Sequence, residues 1–124
     1  MQYGVVSRKQ MRELGYSEAA IGRAAASGRL HRLHRGVYAV GHMRLSVHGR
    51  CRAAVLACGA NALLSHFAAG WLWGLLRDTP GEIDVTRPTR GHQRHSIRVH
   101  HAPALSRDDC AVREDIPVTA LPRT

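Results

Sequence analysis

Apolar positions set the rhythm of this chain, and glycines and serines punctuate it. Gly4-Val5-Val6 reads as a short extended run. Ser7 and Gln10 follow with the spacing of a capping box, in which each side chain satisfies a backbone amide that the first helical turn leaves unpaired. Met11 and Leu14 supply one apolar helical face, and Gly15 stands where a C-terminal cap is expected. Ser17 and Glu18 open a second helix, which Gly28 closes. The spacing therefore predicts two short helices joined by a tight turn at Gly15-Tyr16. Two short runs come next, Leu30–His34 and Val37–Val40, broken by Arg35-Gly36 and read as a hairpin. Leu30 and Leu33 fall on opposite faces of a regular strand, so a bulge is expected to bring them into line.

Residues 53–76 contain no Asp, Glu, Lys or Arg. That length could span a bilayer, which takes about 20 apolar residues. Gly59-Ala60-Asn61 and Ser65-His66 interrupt the middle, where polar groups are costly in lipid. Two buried helices, near 46–58 and 65–75, fit better, with Gly59 ending the first and Ser65 capping the second. Glu82–Thr86 and Ser96–His100 alternate like strands, with a polar loop at Pro88–His95 between them. Ala111–Arg113 and Ile116–Thr119 are two further extended runs. The predicted class is α+β: a winged helix-turn-helix over residues 1–45, then a small helical and strand region over 46–124.

Composition changes this picture little, but charge changes it a good deal. Hydrophobic residues at 44% and charged residues at 22% are those of an ordinary globular domain, which excludes wholesale disorder. The three cysteines lack tight spacing, and no charged-then-apolar leader opens the chain, so the expected compartment is the cytosol. The net charge of +9 sits almost wholly in residues 1–52, which carry +8 against +1 for the remainder. A concentrated basic segment attracts phosphate, and arginine, which supplies all but Lys9 of the basic residues, can grip phosphate or a guanine edge with paired hydrogen bonds. Ser17, Arg23 and Arg29 lie on or beside the second helix, and Arg32, His34 and Arg35 on the hairpin. A helix docked in a major groove with a wing on the backbone would use these donors. Arg23 projects from the side opposite Ile21 and is the first choice for reading a base; a merely solvated basic surface is the plainer alternative.

Other chemistry finds little support. Cys51 and Cys58 share roughly one helical face and read as buried small hydrophobes, while His92 and His95 stand in a loop without metal-binding spacing. His66, beside Ser65, reads as a capping or packing histidine. Arg90 and His95 have the spacing of a ribonuclease motif but lie in a loop, and Glu82 with Asp84 lacks the lysine of a nuclease triad. No catalytic residues, metal or cofactor are expected.

The run Gly28-Arg-Leu-His-Arg-Leu-His-Arg-Gly-Val-Tyr-Ala-Val-Gly41 resembles the hairpin of AbiEi-family antitoxin N-terminal domains. Ala53–Gly59, Leu64-Ser-His66, Leu72-Trp-Gly-Leu75 and Ile116–Thr119 extend the similarity. The resemblance implies a winged-helix DNA-binding domain and a type IV antitoxin that represses its own operon. Its expected partners are operator DNA and a nucleotidyltransferase-like toxin, with no membrane. The family pattern places a helix ahead of Gly4-Val5-Val6 and a leucine-rich helix after Arg123-Thr124, so both ends are expected to be clipped. No counterpart of the C-terminal endonuclease-like domain of many actinobacterial relatives is expected within these residues. Two other expectations stand beside this one: a module whose basic half docks an acidic protein partner, and a remnant of a longer endonuclease-like protein.

Overall fold

The computed structural model describes residues 3–41, 45–90, 95–103 and 105–121. Among these the fold is mixed α+β, with four α-helices and two sheets. Strand β1 (Val5–Ser7) leads into α1 (Arg8–Glu13), α2 (Glu18–Ala26) and the hairpin of β2 (Leu30–His34) and β3 (Val37–Val40). The three strands form an antiparallel sheet in the order β1-β3-β2. Caps set the helix limits as their chemistry dictates. Ser7 and Gln10 form the complete capping box, Ser17 Oγ accepts from the Ala20 amide at 3.1 Å, and Gly15 and Gly28 follow the two helices with φ of +100° and +83°.

Helix α3 (Val47–Cys58) is capped by Ser46 and ended by Gly59. It is followed by β4 (Leu63–Leu64), α4 (His66–Leu72), β5 (Ile83–Arg87), β6 (Ile97–His101), β7 (Cys110–Arg113) and β8 (Ile116–Thr119). These five strands form a mixed sheet in the order β6-β5-β4-β8-β7. Strands β5 and β6 run parallel, with Ile83 opposite Ile97 and Arg87 opposite His101. The chain between them therefore returns to its starting end instead of turning as a hairpin. Residues 91–94, which include His92 of the expected polar loop, lie outside the described residues, as does the Arg123-Thr124 end. No helix among the described residues is long and apolar enough to cross a membrane.

The uncharged run is explained by α3, which has apolar neighbours on both sides. Cys51, Ala54, Val55 and Cys58 join the core against α4 and the five-stranded sheet, with Leu64, Val85, Ile97, Ile116 and Val118. Ala53, Leu56 and Ala57 pack on the other side, against Val5, Val37 and Leu33 of the three-stranded sheet. That smaller sheet is itself covered on both faces. Val6, Leu30 and Tyr38 meet Met11 and Ile21 of α1 and α2, while Val5, Val37 and Leu33 meet α3.

This arrangement corrects two sequence expectations. The bulge exists, at the register shift between Arg32 and His34, but it does not bring Leu30 and Leu33 to one face. Each packs in a different cluster, because both faces are buried and the alternation needed no repair. The second buried helix is shorter than expected, and Ser65 stands at its N-cap position without a side-chain cap. Its hydroxyl makes no bond to the helix backbone and instead accepts from Thr86 Oγ1 at 2.7 Å. Trp73 and Gly74 (φ +83°) end α4, and the Trp73 indole donates to the Thr119 carbonyl at 2.9 Å.

Candidate nucleic-acid interface

The basic residues of the N-terminal half divide into those already engaged and those free to meet a ligand. Arg12 pairs with Glu18 at 2.7 Å, and Arg8 lies 3.7 Å from the same carboxylate while donating to Tyr38 Oη at 2.7 Å. The Arg8 ring partner and the carboxylate together hold its guanidinium above its usual pKa, the Tyr38 hydrogen bond contributing most. Arg50 donates to the carbonyls of Pro80 and Gly81, tying α3 to the segment before β5. Arg52 is half-buried with its Nε unpaired, and desolvation lowers its pKa. These four arginines are paired or partly buried within the fold. Lys9, Arg23, Arg29, Arg32 and Arg35 are exposed.

The hairpin tip is pinned to the helices. The Arg8 amide donates to the Gly36 carbonyl at 2.8 Å, which fixes the Arg35-Gly36 turn against the start of α1. Gly36 has φ +74°, a conformation that a side chain would strain. Arg35 thus stands exposed at a tip that is bonded to the backbone of α1. The β1–β3 pairing, with Ser7 opposite Val37, brings that tip to the start of α1.

Of the other expected site residues, Arg32 pairs across the strands with Tyr38, so it lies on the sheet face that carries α1 and α2. His34 falls opposite Val37, on the face that carries α3, and is half-buried. The bulge thus separates His34 from Arg32. The hydroxyl of Ser17 is used in capping α2. Arg29 is exposed just past the end of α2, and its Nε donates to Ser27 Oγ at 3.0 Å. Arg23 is exposed on α2, where its exposed neighbours are Ala19, Gly22, Ala25 and Ala26. A surface of such small residues lets a partner approach the helix closely, and leaves Arg23 as its long polar arm.

A second polar constellation forms where β4 meets α4. His66 opens α4 with φ +51°, and its Nδ1 lies 3.0 Å from Ser65 Oγ. Its ring stacks on His100, centroids 3.9 Å apart, and His100 Nε2 meets the buried Asp84 carboxylate at 3.0 Å. Arg98 stands 3.7 Å from the same carboxylate and 3.0 Å from Glu82. His66 is thus a packing histidine, as expected, but its partner is a strand two elements away. No group of three or more His, Cys, Asp or Glu able to hold a metal occurs among the described residues. Cys51 and Cys58 are buried in the core, and burial pushes the Cys51 thiol up to about 12.

Comparison with known families bears on the N-terminal part of the chain. Residues 1–41 match the family described as "Transcriptional regulator, AbiEi antitoxin". The AbiEi match covers about a third of the chain and contains the Gly28–Gly41 hairpin and every expected contact residue. AbiEi is a regulator family and not an enzyme family. The similar runs at Ala53–Gly59, Leu64–His66, Leu72–Leu75 and Ile116–Thr119 lie beyond the residues matched. No curated protein matches the chain.

Proposed function

We propose that the chain is a DNA-binding transcriptional regulator of the antitoxin type, and that residues 1–45 act as a winged helix-turn-helix. One observation carries this reading: a hairpin tip pinned to α1, with Arg35 exposed on it, within the segment that matches a transcriptional-regulator family. On this reading α2 enters the major groove and the β2–β3 hairpin lies along the backbone. The small outer residues of α2 allow close approach, and Arg23 makes the base contact, two hydrogen bonds to a guanine edge. Arg29, Arg32 and Arg35 neutralise phosphates, which fixes the register of the helix without reading sequence. Glu18 at the start of α2 would repel phosphate if bare, and its pairs with Arg8 and Arg12 offset that. Ser17 serves through its cap, by fixing where α2 begins. His34 joins the contact less readily than the sequence implied, since it faces α3. Residues 46–124 form the supporting region, occupancy of an operator is the mode of action, and the compartment is the cytosol.

The test is fluorescence anisotropy on the DNA upstream of the gene and on a scrambled duplex. Arg35→Ala is expected to weaken both duplexes about equally and to lower the salt slope by about one. Arg23→Ala is expected to weaken the upstream duplex preferentially, by about 1–3 kcal/mol. If both variants bind both duplexes like the parent, this contact model is wrong.

A further inference from the structure

Glu18 is the first residue of α2 and holds two arginines of α1 at once. Its Oε1 meets Arg12 Nη1 at 2.7 Å, and its Oε2 lies 3.7 Å from Arg8 Nε, so each carboxylate oxygen serves a different guanidinium. Arg8 is held a second time: it donates to Tyr38 Oη at 2.7 Å, with its guanidinium carbon 5.9 Å from the centre of that ring. The side chains of Arg8, Arg12 and Glu18 are 48%, 54% and 54% exposed, so a phosphate can reach all three. Ion pairs this open add little to stability, so the carboxylate acts chiefly on local charge. The backbone amide of the same Arg8 fixes the hairpin tip at Gly36. The cluster therefore sits between the start of α2 and the hairpin tip, the two elements that the proposed DNA contact uses. Its net charge is +1, where two bare arginines would carry +2.

We propose that Glu18 is a specificity-determining residue: by occupying Arg8 and Arg12 it withholds two cations from phosphate and holds down binding to DNA of any sequence. The inference rests on the DNA reading above. A phosphate that drew either arginine away would leave the Glu18 carboxylate bare beside it, and the like charges would repel. Phosphate contacts supply essentially all of the affinity for random DNA, whereas base contacts add to them at an operator. A random duplex also binds in whatever register serves the cations best, while an operator complex is held in one register by its base contact. Two further cations would thus favour random DNA more than the operator. Random sites vastly outnumber an operator, so the ratio of the two affinities decides occupancy.

The test is Glu18→Gln, which removes the charge and keeps the shape, measured by anisotropy on the upstream and scrambled duplexes over a range of salt. The scrambled duplex is expected to bind at least about fivefold more tightly at about 100 mM salt, with a salt slope steeper by about one to two. The upstream duplex should gain less, so the ratio of the two affinities falls. Adding Arg8→Gln and Arg12→Gln to Glu18→Gln should abolish the gain. Glu13→Gln, at the end of α1, removes the same charge and leaves both pairs in place, so it should move the slope far less. Equal effects of Glu13→Gln and Glu18→Gln would reduce the matter to net charge and overturn the proposal. So would a gain on the upstream duplex as large as that on the scrambled one. A parental slope of about six or more would overturn it too, since the pairs would then open unaided. If the parent binds DNA and Glu18→Gln changes neither slope nor ratio, this proposal fails and the DNA reading stands. If neither protein binds any duplex, both fail.

Discussion

The salt dependence of DNA binding can be worked from the division between engaged and free arginines. Arg8 and Arg12 are paired with Glu18, Arg50 donates to two carbonyls, and Arg52 is half-buried, while Arg44 lies outside the described residues. Lys9, Arg23, Arg29, Arg32 and Arg35 remain available. Each phosphate neutralised contributes about 0.9 to the slope of log affinity against log salt. If all five act, affinity should fall about 500-fold between about 50 and 200 mM salt, and about 40-fold if three do. Were every basic residue of the N-terminal half in contact, the fall would exceed about 10⁵-fold. The structure therefore predicts an intermediate slope, between about 3 and 5. Anisotropy on one duplex at several salt concentrations measures it. The double variant Arg32→Ala with Arg35→Ala should then lower the slope by about two. A slope of about six or more would show that the Arg8 and Arg12 pairs open on binding and refute the division. A slope near zero would refute phosphate contact altogether.

Four further outcomes follow from the interior. Of the thiols, exposed Cys110 should react with a disulfide reagent at neutral pH while Cys51 and Cys58 stay protected until unfolding, and three equivalents labelled in the native state would contradict their burial. Because the folded Cys51 thiol titrates near 12 and the unfolded one near 9.0, its contribution to stability is complete below 9.0. It is lost as pH rises above that value, at up to about 1.4 kcal/mol per pH unit, measurable by urea unfolding with Cys51→Ala as the control. Leu64→Ala, at a side chain with no exposed surface, should cost about 3–5 kcal/mol by the same assay. His100→Ala, which removes the closest partner of the buried Asp84 carboxylate, should cost about 1–3 kcal/mol, and a loss below a few tenths would show that Arg98 alone suffices.

Local chemistry made the N-terminal half readable. Helix limits at Ser7, Gly15, Ser17, Gly28, Ser46 and Gly59 follow from caps and from left-handed glycines, both of which depend on neighbours within a few residues. The hairpin was readable for the same reason. What failed was whatever depended on distant partners. Leu63–Leu64 is too short to show a period, and becomes a strand only because Val85 and Val118 lie on its two sides. The parallel pairing of β5 with β6 cannot be read from two alternating runs, since alternation is the same in either direction. The His66–His100–Asp84 constellation spans three elements and exists only through that pairing.

Helix α3 carries the coupling between the two sheets. A helix between two layers must be apolar around most of its circumference and small enough for both layers to approach. That is why the run from Ala53 is rich in alanine and free of charge, and why an apolar run that resembles a membrane span is instead a shared wall. Its N-terminal turn is also tied to both ends of the chain. Tyr3 stacks on His48 at 5.5 Å, His48 contacts Trp71 at 4.7 Å and pairs with Glu114 at 2.9 Å, and the Tyr3 hydroxyl donates to the Glu114 carbonyl. The entry to β1 is thereby anchored on α4 and on the β7–β8 turn. Since β1 pairs with β3, and β3 carries the hairpin tip, that anchor also bears on where Arg35 is held. The C-terminal region thus contributes to the proposed interface by fixing the sheet from which the hairpin projects, with no contact of its own.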